Sequence, residues 1–262
     1  MVALEDFFTW VSQLAREREA FALCIVTEKI GSGPVSVGDV MAVTVDRRRI
    51  GTLGGWSFEK LFLDRVIKMI REGRSGSIEV DISGREKGGL ECGGKIKIFV
   101  SVFQPPPRIV IFGAGHIGTA LAKISSTIGY DTILVEEKDV KPNAEYEQIK
   151  IVESYREYAA SMERNKDTFI VITVGEVDPC VEILRELLKR EYRYIGLLGS
   201  KRKVMRVKEE LAMSGVPENR IATVRGPAGL KIGARKPGEI AISIMAEIIK
   251  TSNEQASHIP PQ

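Results

Sequence analysis

Redox and metal chemistry have few groups to work with in this sequence. Its 262 residues include only two histidines and three cysteines. Cys24, Cys92 and Cys180 form no C-x-x-C pair, so neither a zinc ribbon nor a thioredoxin-like motif is expected, and no metal site is expected. No apolar stretch approaches the ~20 residues of a membrane-spanning helix. Excess charge is also lacking, since 38 basic residues face 35 acidic ones. A nucleic-acid binder would need a concentrated basic face. Here the signs alternate instead, as in Arg16-Glu17-Arg18-Glu19, the pattern of a solvated helix surface. The opening Met-Val-Ala-Leu-Glu-Asp has no basic start followed by an apolar run, so no secretory signal is expected. These absences lead us to expect a cytoplasmic protein that meets neither membrane nor nucleic acid.

What is present is core material and glycine. Hydrophobic residues make up 44% of the chain, and there are 25 glycines. Gln104-Pro105-Pro106-Pro107 breaks the pattern, because three prolines neither continue a helix nor pair inside a sheet. We therefore expect an N-terminal domain over 1–103, a proline linker at 104–107, a second domain over 108–250 and a flexible tail over 251–262. The first domain reads as α+β. It has helices over 4–18 and 58–71, strands over 21–27, 78–82 and 95–103, and a hairpin of 40–45 with 49–53 around Asp46. In the second, short Val- and Ile-rich runs at 108–112, 132–135, 149–152, 168–174, 194–198 and 221–224 alternate with helical patterns. Those helices are expected over 117–128, 155–164, 181–190, 201–214 and from Pro237 onward. Strands without polar alternation are buried on both faces. Repeated β-α units predict an α/β fold, a Rossmann-type parallel sheet with helices on both faces.

The residues that could carry chemistry sit in glycine-rich loops. Gly113-Ala114-Gly115-His116-Ile117-Gly118 follows a buried strand and opens a helix. In such a loop the first glycine makes the tight turn, the second lets backbone approach a pyrophosphate, and the third lets helix and strand pack closely. Helix N–H groups then face the anion. Glu136, with Glu137 as the alternative, ends the next strand, where an acceptor for a ribose hydroxyl belongs. His116 lies beside any bound phosphate or else points to solvent. Gly199-Ser200-Lys201-Arg202 follows another strand and is a candidate second anion site, with Ser200 also a natural helix cap. Gly229, Gly233 and Arg235 belong to a glycine-rich shaped loop. In the first domain, Gly54-Gly55 with Glu59 precedes a helix. Cys92 stands among glycines and is the cysteine expected to meet sulfur or a metal, whereas Cys24 and Cys180 have apolar neighbours and read as core.

Together these ordered clusters resemble the xanthine dehydrogenase accessory factor family, XdhC/CoxI. Gly31-Ser32-Gly33-Pro34, Gly38, Met41, Gly54-Gly55, Glu59 and Cys92-Gly93-Gly94 are similar to its N-terminal domain. The glycine loop at 113–118, Tyr194-Ile195-Gly196, Gly199–Arg202 and the run from Pro227 through Gly229, Gly233 and Arg235 to Pro237 are similar to its Rossmann domain. The resemblance implies a chaperone that binds molybdenum cofactor, a phosphate-bearing pterin, as a transferred ligand. It would protect the cofactor, help sulfurate it and insert it into xanthine dehydrogenase or a related molybdenum hydroxylase. Its implied partners are the hydroxylase apoenzyme, a cysteine desulfurase and a second copy of the chain as a homodimer. On this reading the chain is a maturation chaperone rather than a catalyst. Three departures stand out. Val174-Gly175 follows Thr173 where relatives often carry His-Asp, Trp56 follows Gly54-Gly55, and Lys231 precedes Ile232-Gly233-Ala234-Arg235. Read without the resemblance, the loop at 113–118 and Glu136 also suit an NAD(P)-dependent oxidoreductase or a non-catalytic nucleotide sensor.

Overall fold

The computed structural model describes residues 3–82, 94–139, 149–163 and 167–256. They fall into two compact units that divide between Pro105 and Pro106. In the first unit, α1 (Leu4–Arg16) leads into β1 (Phe21–Gly31), β2 (Val40–Thr44) and β3 (Arg49–Gly51). The short α2 (Trp56–Glu59) and α3 (Leu63–Glu72) follow, then β4 (Gly76–Asp81) and β5 (Gly94–Phe103). The strands form an antiparallel sheet in the order β3-β2-β1-β5-β4. Its core gathers Cys24, Val26, Met41, Leu53, Phe62, Val66, Ile70, Ile96 and Ile98, so α3 lays its apolar face on the sheet.

One long helix over 58–71 was expected here, and the structure breaks it at Phe62, whose backbone leaves the helical region with φ −130°. The break lets Phe58 and Phe62 turn into the same core with ring centroids 5.5 Å apart. Burying two aromatic rings outweighs a few residues of helix propensity.

Cys24 is fully buried in this core. Burial first, and the nearby Glu59 carboxylate second, push its thiol up to about 12. In the unfolded chain that thiol ionises near its ordinary ~8.5. Between those values the unfolded state sheds a proton that the folded state keeps, so stability is full below that window and falls as pH rises through it. From about pH 8.5 to about pH 10, wild type should lose roughly 1.5 kcal/mol more than Cys24→Ala, read from urea melts. Equal losses would show that the Cys24 thiol does not set this pH dependence.

The second unit begins with β6 (Arg108–Phe112), α4 (His116–Thr127), β7 (Asp131–Glu137), β8 (Ile149–Val152) and α5 (Tyr155–Ser161). It continues with β9 (Thr168–Ile172), α6 (Val177–Leu187), β10 (Tyr194–Leu197) and α7 (Lys201–Met213), and closes with α8 (Glu218–Ile221), β11 (Val224–Arg225) and α9 (Pro237–Ala256). All six strands are parallel, in the order β11-β10-β9-β6-β7-β8. Counted from β6 this is 3-2-1-4-5-6, the Rossmann order, whose direction reverses between β6 and β9. Alternate residues of each strand serve the two layers. Ile109, Ile111, Phe169 and Val171 pack with Leu121 of α4 and with Ile244 and Ile248 of α9. Val110, Phe112, Ile170 and Ile172 pack with Tyr155 of α5, Leu184 of α6 and Val207 of α7.

Three elements depart from expectation. The last apolar run before Arg225 splits into a helical turn at α8 and a two-residue strand, because Pro217 starts the turn and Ile221 anchors it in the core. Helix α6 starts at Val177 rather than 181, with Pro179 inside its first turn, where the missing N–H has no helical partner to lose. Helix α9 continues to Ala256, past the expected end at 250. Thr251 is buried there, and its hydroxyl donates to the Glu247 carbonyl at 2.9 Å. Residues 257–262 lie outside the described residues.

Candidate functional site

The direction reversal between β6 and β9 places the loops after those strands side by side, the position where open parallel sheets bind ligands. Each glycine of the loop after β6 has a distinct reason to be there. Gly113 has φ +102°, and a Cβ on it would stand 2.9 Å from Thr173 Oγ1 and 3.1 Å from Val174 N. A Cβ on Gly118 would lie 1.9 Å from the Gly113 carbonyl oxygen, so α4 leaves the sheet closely only because residue 118 has no side chain. A Cβ on Gly115 would meet nothing within 4 Å. Thus Gly113 and Gly118 serve packing, and Gly115 faces open space.

Gly115 is also the N-cap of α4, with no side-chain cap, and the helix has no acidic residue in its first turn. Ser154 caps α5, and Ser200 caps α7 through its hydroxyl. Helix α6, after β9, has no side-chain cap either, but Glu176 and Asp178 put carboxylates at its start. An anion is therefore favoured at α4, where free N–H groups and the positive helix end meet an acid-free first turn. His116 is exposed on that turn.

The neighbouring loops are fastened to this one. The Thr173 hydroxyl lies 2.9 Å and 2.8 Å from the Phe112 and Gly113 carbonyls, donating into the turn. Lys203, on the first turn of α7, donates from Nζ to the Val174 carbonyl and, at 3.1 Å, to the Leu198 carbonyl. It clips the ends of β9 and β10 together beside Gly199, while Lys201 and Arg202 stand exposed. Ala228 N–H donates to the Leu197 carbonyl at 3.0 Å, which ties the glycine-rich loop to the end of β10. Glu247 of α9 accepts from Gly229 N–H at 2.7 Å and from the Tyr194 hydroxyl at 2.6 Å. A Cβ on Gly229 would lie 2.4 Å from Ser243 Oγ, so the loop hugs α9 there. Gly233 and Arg235 lie beyond, exposed. The carboxylate of Glu239 accepts from the N–H groups of Arg235 and Lys236 at 2.8 and 3.0 Å, and these bonds hold its carboxyl below the usual carboxylate range.

Sequence reasoning named the Gly113, Gly199 and Gly229 loops but missed the groups that hold them, Thr173, Lys203 and Glu247. A lysine or glutamate inside a helix carries no local signature of a partner in a distant loop. Glu136 has a place that was not foreseen. It is 3% exposed. Its carboxylate accepts from Ala114 N–H at 2.6 Å, from Glu137 N–H at 3.0 Å and from the Tyr155 hydroxyl. A ribose hydroxyl reaching it would have to share or displace those donors. Burial and the Glu136 bond push the Tyr155 hydroxyl upward, so it stays protonated and donating. Glu136→Ala should cost about 3 kcal/mol, since it strands two backbone donors under the glycine loop. A urea midpoint within error of wild type would refute this anchoring role.

In the first unit, Glu59 is 1% exposed and holds the loop before α2. It accepts from Thr52 Oγ1 at 2.7 Å and Leu53 N–H at 3.0 Å, with Arg49 Nε at 3.4 Å. In this arrangement the carboxylate is closed to a ligand, and its part in any site is to shape the loop. Gly54 is wedged against Pro34, whereas Gly55 has open space. Trp56 is half exposed, with the Arg49 and Lys60 cations 4.6 and 4.8 Å from its ring. Val174 is buried, so the position where relatives often carry histidine packs into the core here. Cys92 lies outside the described residues. Among the described residues, no cluster of histidine, cysteine and acidic side chains could hold a metal ion, and no helix is long and apolar enough to cross a membrane.

The strand order and the glycine loop define the second unit as a Rossmann domain. The chain belongs to the XdhC and CoxI family. Residues 109–248 match the XdhC Rossmann domain, and residues 14–81 match the XdhC and CoxI family domain. It is 30% identical to Uncharacterized protein YqeB of Escherichia coli (strain K12), over 95% of this chain and 46% of that protein. It is 24% identical to the Molybdenum cofactor insertion chaperone PaoD of the same organism, over 61% of this chain and 45% of that one. The chain thus spans about half the length of these curated relatives. A crystal structure described as a xanthine dehydrogenase from Bacillus halodurans shares the fold, with TM-score 0.50, 21% identity and 97% of each chain covered.

Proposed function

We propose that this chain is an accessory protein that binds molybdenum cofactor and delivers it to a molybdenum hydroxylase such as xanthine dehydrogenase. The observation that carries the reading is the open, uncapped start of α4 at Gly115, inside a Rossmann domain of the XdhC type. The pterin phosphate suits that position. Backbone N–H groups and the helix end stabilise the anion, and Gly115 leaves room for its oxygens. Lys201 and Arg202 at the neighbouring loop, with Gly199 and Ser200, would hold a second anionic group when the cofactor carries a nucleotide. His116 would contact the phosphate, and the loop through Gly229, Gly233 and Arg235 would flank it. In the first unit, taken by itself, Gly54 and Gly55 form a candidate anion loop, and Cys92 is the candidate contact for sulfur. A cysteine desulfurase and a second copy of the chain complete the proposed partners. The related chaperone PaoD supports the same role.

On this reading the chain shields and positions its cargo and makes no bond to it beyond any contact through Cys92. An NAD(P)-dependent oxidoreductase fits less well, because the Glu136 carboxylate is already occupied by the chain's own donors. The proposal is tested by reconstitution. A molybdenum hydroxylase apoenzyme is mixed with limiting cofactor, with and without this protein. Faster and more complete activation with the protein is expected. Activation that is indifferent to it would reject the role.

A further inference from the structure

The second unit carries a cavity of about 550 Å³ that is remote from the glycine loop. Its walls come from the segment 190–195, which enters β10, and from Arg220 and the residues entering β11. It therefore opens at the amino ends of two parallel strands, whereas the site at Gly115 lies beyond the carboxyl ends. Four arginines line it, Arg190, Arg193, Arg220 and Arg225, against one acidic residue, Glu191.

Those guanidinium groups are unequally neutralised. Arg193 reaches Asp167 at 3.2 Å, and Arg225 stands 3.9 Å from Glu247. Arg190 and Arg220 bond to main-chain carbonyls. Arg190 donates to Ala160 at 2.9 Å, and Arg220 donates to Leu188 at 2.9 Å and to the Arg190 carbonyl. These bonds fix the planes of two cations without cancelling their charge. Clustered guanidiniums match the oxygens of a phosphate, which takes forked bonds and carries enough charge for two cations. The volume exceeds that of a bare phosphate and falls in the range of small-molecule sites.

We propose that this arginine-lined cavity binds a small phosphorylated molecule at a site separate from the glycine loop. It stands independently of the function proposed above, since it uses none of the same residues.

The test uses the full-length protein and inorganic pyrophosphate as probe. Calorimetric titration of Gly115→Val, whose glycine loop is blocked, should give saturable one-to-one binding, and wild type should keep that site beside the binding at its glycine loop. Arg190→Gln or Arg220→Gln added to Gly115→Val should each weaken it about tenfold or more, the loss of a charge-assisted bond. In parallel, hydrogen exchange on wild type and Gly115→Val should show pyrophosphate protecting segments 188–195 and 219–225. That arm needs no arginine variant and decides the matter if those variants misfold. Absence of saturable binding would overturn the proposal. So would binding that is lost in Gly115→Val, or protection confined to segments 112–120 and 198–204.

Discussion

Gly118→Ala is expected to destabilise the second unit by about 3 kcal/mol or more, a large change for one methyl group. The added Cβ would lie 1.9 Å from the Gly113 carbonyl oxygen and 2.9 Å from Thr173 Oγ1. The hydroxyl can rotate away, but the carbonyl is backbone in a turn that the neighbouring chain already fastens. Thr173 donates into it, and Glu136 holds the following N–H. To relieve the clash α4 must move off the sheet, which would uncover Leu121 and Ala122, both fully buried. Chemical melts of the full chain provide the check. A loss under about 1 kcal/mol would mean that the loop has more give than its hydrogen bonds suggest.

Gly115→Val should do the opposite, sparing the fold and removing the ligand. Residue 115 has φ −70° and ψ −176°, extended backbone that any residue adopts, and its Cβ position is open. A valine there stands in the space over the first N–H groups of α4. Losing those donors and the close approach should weaken cofactor affinity by about 100-fold, equivalent to roughly 2.7 kcal/mol. The melting midpoint should stay near that of wild type, since a glycine N-cap contributes no side-chain bond to lose. Unchanged affinity in a folded variant would take the phosphate away from α4.

The two glycines differ in a way the motif alone does not reveal. Both were legible as loop glycines, and the strand-loop-helix context was legible with them. The distinction between a packing glycine and one that faces open space needs the distance from each Cβ to its neighbours. The parallel sheet was readable because its strands are short apolar runs between amphipathic helices. The break at Phe62 was not, because helix propensity across 58–71 is good and only the pull of two buried rings opposes it. Glu136 shows the same limit in the site. Its position at the end of β7 suggested a ribose acceptor, yet the sequence says nothing of Tyr155, whose hydroxyl takes up part of that carboxylate. The arginine cavity was invisible for a related reason. Arg190, Arg193, Arg220 and Arg225 are spread over two segments whose charge looks like ordinary surface, and only the pairing of β10 with β11 brings them together.

Retention of molybdenum cofactor at Gly115 of the Rossmann domain is measured by incubating the full-length chain with the cofactor, passing the mixture through gel filtration, and assaying molybdenum and oxidised pterin in the protein peak. Wild type should carry both in a fixed ratio to protein, and folded Gly115→Val should carry neither. Wild type that elutes free of molybdenum and pterin, or a variant that retains them as well as wild type, would contradict it.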